Sequence, residues 1–268
     1  MSLATIPYWH VDAFASKLFG GNQAAVMMLD QWPADDVLQA AAAENMFAET
    51  AFLLPDASGA ADYELRWFTP EVEVELCGHA TLASGHVVLG QERDRKAVTF
   101  RTRKAGVLEV RRAQAGYELG LPAIHVTGAA SAEMLAGLRC DPIESFADDR
   151  GYVIALYADE QAVRGLDPDM AALAQYGDTM FICTALGEAV DVVSRVFVPG
   201  AGIPEDSATG SAHAALTVLW AARLGKSSFT AHQASSRGAD LVCRLDGDRV
   251  SLAGECVSVV EGRFYLSG

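Results

Sequence analysis

Glu49-Thr50-Ala51-Phe52 returns 129 residues later as Asp178-Thr179-Met180-Phe181, the same acid-Thr-x-Phe string in two places. Arg66-Trp67-Phe68-Thr69-Pro70 returns at the same offset as Arg195-Val196-Phe197-Val198-Pro199, and Gly78-His79-Ala80 returns as Gly210-Ser211-Ala212 at an offset of 132. The register holds from the first string to the second, and three residues are added just before the second Gly. A chain that repeats itself in order over this span reads as one α/β unit used twice.

Outward from these strings, the secondary-structure signals recur in the same order. Ala24 to Leu29 and Val153 to Ala158 read as short apolar strands. Pro33 opens a helix with Asp35 and Asp36 in its first turn, and Pro168 with Asp169 opens its counterpart. Each helix feeds an acid-Thr-x-Phe strand. The runs Ala80 to Leu89 and Ala212 to Leu224 are apolar or small on every side, the mark of a buried helix, and Gly90 and Gly225 are the expected caps. Further strands are expected at 97–101, 107–111, 228–234, 241–245 and 257–266. The fold class is therefore α+β, two pseudo-symmetric lobes, each a barrel-like sheet wrapped around one central helix. The expected lobes are 1–118 and 119–268, divided within 113–128, with the last strand able to return to the first lobe.

The chain has 268 residues, enough for a sizeable core in each lobe, and no apolar run reaches the ~18 residues of a membrane span. The start has neither the basic front nor the apolar stretch of a signal peptide. With 20 Lys+Arg against 35 Asp+Glu the formal charge is −15, which repels phosphate backbones and excludes nucleic acid as a natural partner. Five scattered cysteines with no Cys-x-x-Cys pair suit a reducing compartment and neither a disulfide framework nor a zinc knuckle. A soluble cytoplasmic protein is the expectation. No nucleotide-binding glycine motif occurs, and His86, His125, His213 and His232 show no metal spacing, so neither a cofactor nor a metal is expected.

The repeat places two buried helix starts in one expected cleft. Each presents unpaired N–H groups and the positive end of a dipole, suited to a substrate carboxylate. Gly78 and Gly210 let a ligand approach the backbone, and His79 and Ser211 follow as donors; tight packing alone would also explain the two glycines. Glu49 opens an apolar strand, where burial would raise a carboxyl pKa towards neutrality and fit it for proton transfer, although strand-end acids also serve as plain solvated residues. Asp206 lies beside the insertion, as a specialised acid or an N-cap. Cys77, just before a helix start, reads either as a dipole-stabilised thiolate or as a small buried hydrophobe.

Val11-Asp12-Ala13-Phe14, Phe19-Gly20-Gly21-Asn22-Gln23-Ala24-Ala25-Val26, Ala48-Glu49-Thr50-Ala51-Phe52, Cys77-Gly78-His79-Ala80-Thr81 and Glu205-Asp206-Ser207-Ala208-Thr209-Gly210-Ser211-Ala212 together resemble the phenazine-biosynthesis PhzF-like family. The resemblance runs in order over most of the chain. It implies the diaminopimelate-epimerase-like fold, cofactor-independent isomerisation by proton relocation, and a homodimer. It puts the catalytic acid/base on Glu49, with His79 and Asp206 as its catalytic companions, and substrate contacts on Asn22, Gly78, Gly210 and Ser211. Related epimerases place a cysteine at each helix start; here only Cys77 does so and Ala208 stands at the other, which disfavours a two-thiol racemase. Gly21-Asn22-Gln23 replaces the Gly-Asn-Pro of the phenazine enzymes, which points to a different substrate.

Three readings follow: an isomerase relocating a proton on a small carboxylate-bearing substrate through Glu49, an epimerase opposing Cys77 to Glu49, and a non-catalytic small-carboxylate binding protein.

Overall fold

The computed structural model describes residues 3–267. The chain forms two compact units, residues 1–121 with 253–268, and residues 122–252. The first contains β1 (Leu3–Ala13), β2 (Asn22–Met28), α1 (Asp35–Asn45), β3 (Glu49–Pro55), β4 (Tyr63–Phe68), β5 (Glu73–Val74), α2 (Gly78–Gln91), β6 (Ala97–Arg101), β7 (Val107–Arg112) and β8 (Tyr117–Pro122). The second contains α3 (Ala132–Ala136), β9 (Glu144–Ala147), β10 (Tyr152–Leu156), α4 (Glu160–Arg164), α5 (Met170–Ala174), β11 (Met180–Leu186), β12 (Val192–Val198), β13 (Ile203–Asp206), α6 (Gly210–Leu224), β14 (Ser228–Gln233), β15 (Ala239–Asp246) and most of β16 (Arg249–Gly254). The closing strand β17 (Cys256–Ser267) belongs to the first unit, paired antiparallel along β1 from Leu3↔Ser267 to Ala13↔Cys256.

The strand pairings repeat as the sequence does. β2 runs parallel to β3, β3 antiparallel to β4, β4 parallel to β6 and β6 antiparallel to β7. In the second unit β10, β11, β12, β14 and β15 follow the same alternation. Arg66 forks onto Glu73 at 2.7 and 2.8 Å and lies over the Phe68 ring; Arg195 forks onto Glu205 at 2.7 and 3.0 Å and lies over Phe197. Trp67 faces Val74 across one edge pair and Val196 faces Asp206 across the other. The offset is thus already 132 at Glu205. The three added residues therefore fall at the 3₁₀ turn Pro199–Ala201 and the left-handed Gly202, upstream of the position expected from the sequence, and they lengthen the two-residue β5 into the four-residue β13.

Each central helix is buried because its shaft carries little that needs water. α2 packs against β1, β2, β3, β6, β7 and β17. Its Thr81 and Ser84 hydroxyls donate back to the carbonyls of Cys77 and Ala80 at 2.5 and 2.7 Å. In α6, Thr217 donates to the His213 carbonyl, and Trp220 Nε1 donates to Thr184 of β11. Such back-bonding removes the desolvation penalty of a buried hydroxyl. Outside the sheet, Leu38 of α1 packs with Met27, Phe52 and Phe68. Val163 and Leu173 of α4 and α5 pack likewise with Phe181 and Phe197.

Three sequence expectations shift. The division at 118/119 moves to 121/122, because β8 still pairs with β7 in the first unit; residues 253–268, whose last strand was expected to be able to return, belong to the first unit. Gly90 lies inside α2, which runs to Gln91, whereas Gly225 caps α6 at φ +63° as expected. The counterpart of α1 is broken into α4 and α5, since Gly165 and Pro168 interrupt the helix; Asp159 and Asp169 cap the pieces. Gly85 is a close-approach glycine: a Cβ there would meet Val110 Cγ1 at 2.3 Å, and a β-branched side chain cannot swing away. Gly85→Ala is expected to lower stability by about 1–3 kcal/mol. The check is a urea midpoint; an unchanged midpoint would contradict the packing described.

Candidate active site

In the first unit, parallel pairing of β2 with β3 aligns Ala24 with Glu49, so Asn22 and Glu49 emerge at neighbouring strand starts. The turn before Asn22 needs Gly21, at φ +59°, where a Cβ would lie 2.1 Å from the Ala13 carbonyl. Glu49 follows α1, which ends in the left-handed Met46, and Asn45 ties the corner by donating to Thr50 Oγ1 at 3.0 Å. Cys77 is the N-cap residue of α2 and His79 its second helical residue.

These elements converge on one imidazole. His79 Nε2 lies 3.1 Å from Glu49 Oε2, with side chains 6% and 13% exposed. The two atoms face each other off the line a hydrogen bond needs, and both are otherwise without a partner. On the opposite edge of the ring, Nδ1 lies 3.5 Å from Cys77 Sγ and 3.3 Å from Asn22 Nδ2. Burial pushes the Cys77 thiol up to about 11, helped by the Glu49 charge, so Cys77 holds its proton at neutral pH. For His79 burial opposes charge, but its interactions with Cys77 and Glu49 outweigh it and raise the pKa well above 6.5. A half-turn of the Asn22 amide presents oxygen to Nδ1–H when the ring is charged and N–H when it is neutral.

In the second unit the corresponding positions are filled differently. Asp178, the repeat partner of Glu49, is exposed in the turn before β11, not in the strand. Asp206 ends β13 and accepts from Thr209 Oγ1 at 2.5 Å. Gln233 of β14, fully buried, accepts from Thr209 N–H at 2.8 Å and donates to the Asp206 carbonyl at 2.7 Å and to Thr209 Oγ1 at 3.1 Å. Gly210 is buried, and Ser211 Oγ has a weak contact with Met180 Sδ at 4.0 Å. His213 donates from Nδ1 to the Thr209 carbonyl at 2.9 Å; burial drives its pKa down to about 4, which leaves it neutral.

Both central helices begin with no side-chain cap, at Cys77 and Thr209, whereas Ser131, Asp159 and Asp169 cap the three short helices. Helix starts without a side-chain cap suit an anionic ligand. The structure thus gathers Asn22, Glu49, Cys77, Gly78 and His79 in the first unit, and Asp206, Gly210 and Ser211 in the second. Thr209, not Ala208, is the N-cap opposite Cys77 in the repeat. Thr209 and Gln233 were missed from sequence. An offset of 132 applied to Cys77 finds the first, and the alternation of β14 finds the second, a polar residue on the inward face with Phe229 and Ala231.

The model of the PhzC-PhzF family, described as "Phenazine biosynthesis-like protein", matches residues 11–262. A Pseudomonas aeruginosa protein named as an uncharacterized isomerase is 42% identical over 264 residues, 98% of this chain and 99% of its own. The crystal structure of a PhzF-family phenazine biosynthesis protein from Enterococcus faecalis superposes with a TM-score of 0.90 at 37% identity, covering 98% of this chain and 100% of that one. A hydroxyproline epimerase from Agrobacterium vitis, at 11% identity and TM-score 0.60 over 98% and 93% of the two chains, shares the fold alone.

Because its folded pKa lies above 6.5, His79 contributes stability that is fully present below that value and is lost as pH rises through the folded pKa. Nitrogen NMR of the imidazole is expected to show His79 doubly protonated at neutral pH and Glu49→Gln to lower its titration. A ring that titrates unchanged in the variant would contradict the pairing.

Proposed function

Since the chain belongs to the phenazine biosynthesis-like PhzC-PhzF family, we propose that it is a cofactor-independent isomerase that relocates a proton on a small carboxylate-bearing substrate, with Glu49 as base and then acid. The observation that carries this reading is the facing pair of buried atoms, Glu49 Oε2 and His79 Nε2, 3.1 Å apart and otherwise unpartnered. They hold each other as an ion pair without a hydrogen bond, so a substrate that parts them finds a base on one side and a donor on the other.

The chemistry follows from the charges. Glu49 as carboxylate removes a proton from a carbon made acidic by an adjacent carbonyl, imine or conjugated system. The C–H pair passes into the conjugated system, and the new carboxylic acid returns the proton at another carbon. His79, protonated, is assigned to the charge that develops, where one preorganised donor lowers the barrier by about 3 kcal/mol, and the N–H groups at the α2 start hold a carboxylate. Asn22 sets the imidazole from its other nitrogen. Asp206, Ser211 and the Gly210 N–H are assigned to substrate binding, with Thr209 bonding the Asp206 carboxylate and Gln233 holding Thr209 and the Asp206 carbonyl.

A second reading, an epimerase opposing Cys77 to Glu49, has one observation in its favour: Cys77 Sγ approaches the same ring at its other nitrogen. A thiol with its pKa near 11 can donate a proton at neutral pH but is a poor base. That suits one direction of an epimerisation better than both.

Hits from a thermal-shift screen of small carboxylates, incubated in heavy water, are expected to gain deuterium with the wild-type protein. Glu49→Gln is expected to keep the melting transition and reduce exchange by about 10²–10⁴-fold. Undiminished exchange in Glu49→Gln would overturn the base assignment, and binding without exchange in the wild type would favour a binding protein. In Cys77→Ala, retained exchange excludes the epimerase reading.

A further inference from the structure

Glu49 lies 28 residues before the Cys77-Gly78-His79 string, and the histidine spacing of the chain gives no hint of a metal motif. The fold nevertheless brings one carboxylate oxygen, one thiol sulfur and one imidazole nitrogen within 4.8 Å of one another. Oxygen, nitrogen and thiolate sulfur are the donors zinc takes. With Zn–S of roughly 2.3 Å and Zn–N or Zn–O of roughly 2.0 Å, neighbouring ligands of a tetrahedral ion stand about 3.3–3.6 Å apart. An ion takes one ring nitrogen: on Nε2 the edge to Glu49 Oε2 is already 3.1 Å, and Cys77 Sγ, 3.5 Å from Nδ1 on the other edge of the ring, has to turn towards it to become the third ligand.

Two further observations point to a ligand rather than to chance proximity. Glu49 Oε2 and His79 Nε2 are buried and 3.1 Å apart without a hydrogen bond between them or to any other group, an arrangement a cation bound to both would complete. Asn22, within 3.3 Å of the other ring nitrogen, sits where a metal-bound histidine needs an outer partner to hold its tautomer.

We propose that Glu49, Cys77 and His79 form a binding site for a soft divalent cation of the zinc class, with three protein ligands and one open position. Binding displaces the Cys77 proton and the second imidazole proton, and it removes the Glu49 carboxylate from proton transfer. The cation is therefore a reversible inhibitor of any chemistry at Glu49. The binding itself does not depend on the isomerase reading.

Calorimetric titration of ZnCl₂ into chelator-treated full-length protein, repeated in two buffers of different ionisation enthalpy, is expected to show one tight site releasing about two protons per ion. CdCl₂ is expected to give a thiolate-to-cadmium charge-transfer band. Cys77→Ala and Cys77→Ser are each expected to lose the band and to weaken zinc on the order of a hundredfold or more, and Glu49→Gln to weaken it less. Because Cys140 is exposed, a band that survives in both Cys77 variants would assign the cadmium to another thiol and overturn the proposal. So would wild-type protein that takes up no zinc, or that binds it without proton release.

Discussion

A helix surrounded by its own sheet can carry polar side chains along its shaft only if they satisfy themselves, and this constraint orders the molecule. Thr81 and Ser84 in α2, and His213 and Thr217 in α6, all turn back onto backbone carbonyls within the helix or at its cap. The shaft is then chemically silent. What remains available is the helix start, where the backbone has donors that nothing in the helix can accept and where no side chain caps them. His79, Cys77, Ser211 and Thr209 occupy those starts, and the chemistry gathers there for the same reason that the shafts are inert.

The two copies separate what holds the fold from what does the work. The Arg66–Glu73 fork over Phe68 and the Arg195–Glu205 fork over Phe197 are retained in both units, and so is the alternation of parallel and antiparallel strands. Around the helix starts the copies diverge at four places: Glu49 against Asp178, Cys77 against Thr209, His79 against Ser211, and Val74 against Asp206. In the first unit the result is a carboxylate, a thiol and an amide gathered on one imidazole. In the second it is a carboxylate bonded by Thr209, which Gln233 holds in turn, with His213 kept neutral by burial. The first set suits the proton transfer proposed for Glu49, and the second the binding proposed for Asp206.

Much of the fold was legible because a repeated string fixes register as well as element type. The strands expected from its two copies and both buried helices follow from it. What escaped depends on contacts distant in sequence. The strand Leu3–Ala13 was not expected, and although the last strand was allowed to return to the first lobe, no local signal specifies β1 as its partner. Gly90 looked like a cap because glycine commonly ends helices, but α2 continues over it to Gln91. At the site, Asn22, Glu49, His79 and Cys77 were nameable from motif and helix-start reasoning, whereas their meeting at one ring required the parallel pairing of β2 with β3. Gln233 escaped because its role lies in three hydrogen bonds to a loop some 24 to 27 residues away.

The central claim is that the α2 start binds an anionic substrate with Glu49 turned to its reacting carbon. A crystal structure of the protein soaked with a small carboxylate found by thermal shift tests it most directly. The account predicts a carboxylate oxygen on the N–H groups at Gly78 and His79, with the Glu49 carboxylate facing the adjacent carbon and His79 within hydrogen-bond reach. A carboxylate bound elsewhere, with Glu49 and His79 still facing each other undisturbed, would contradict it.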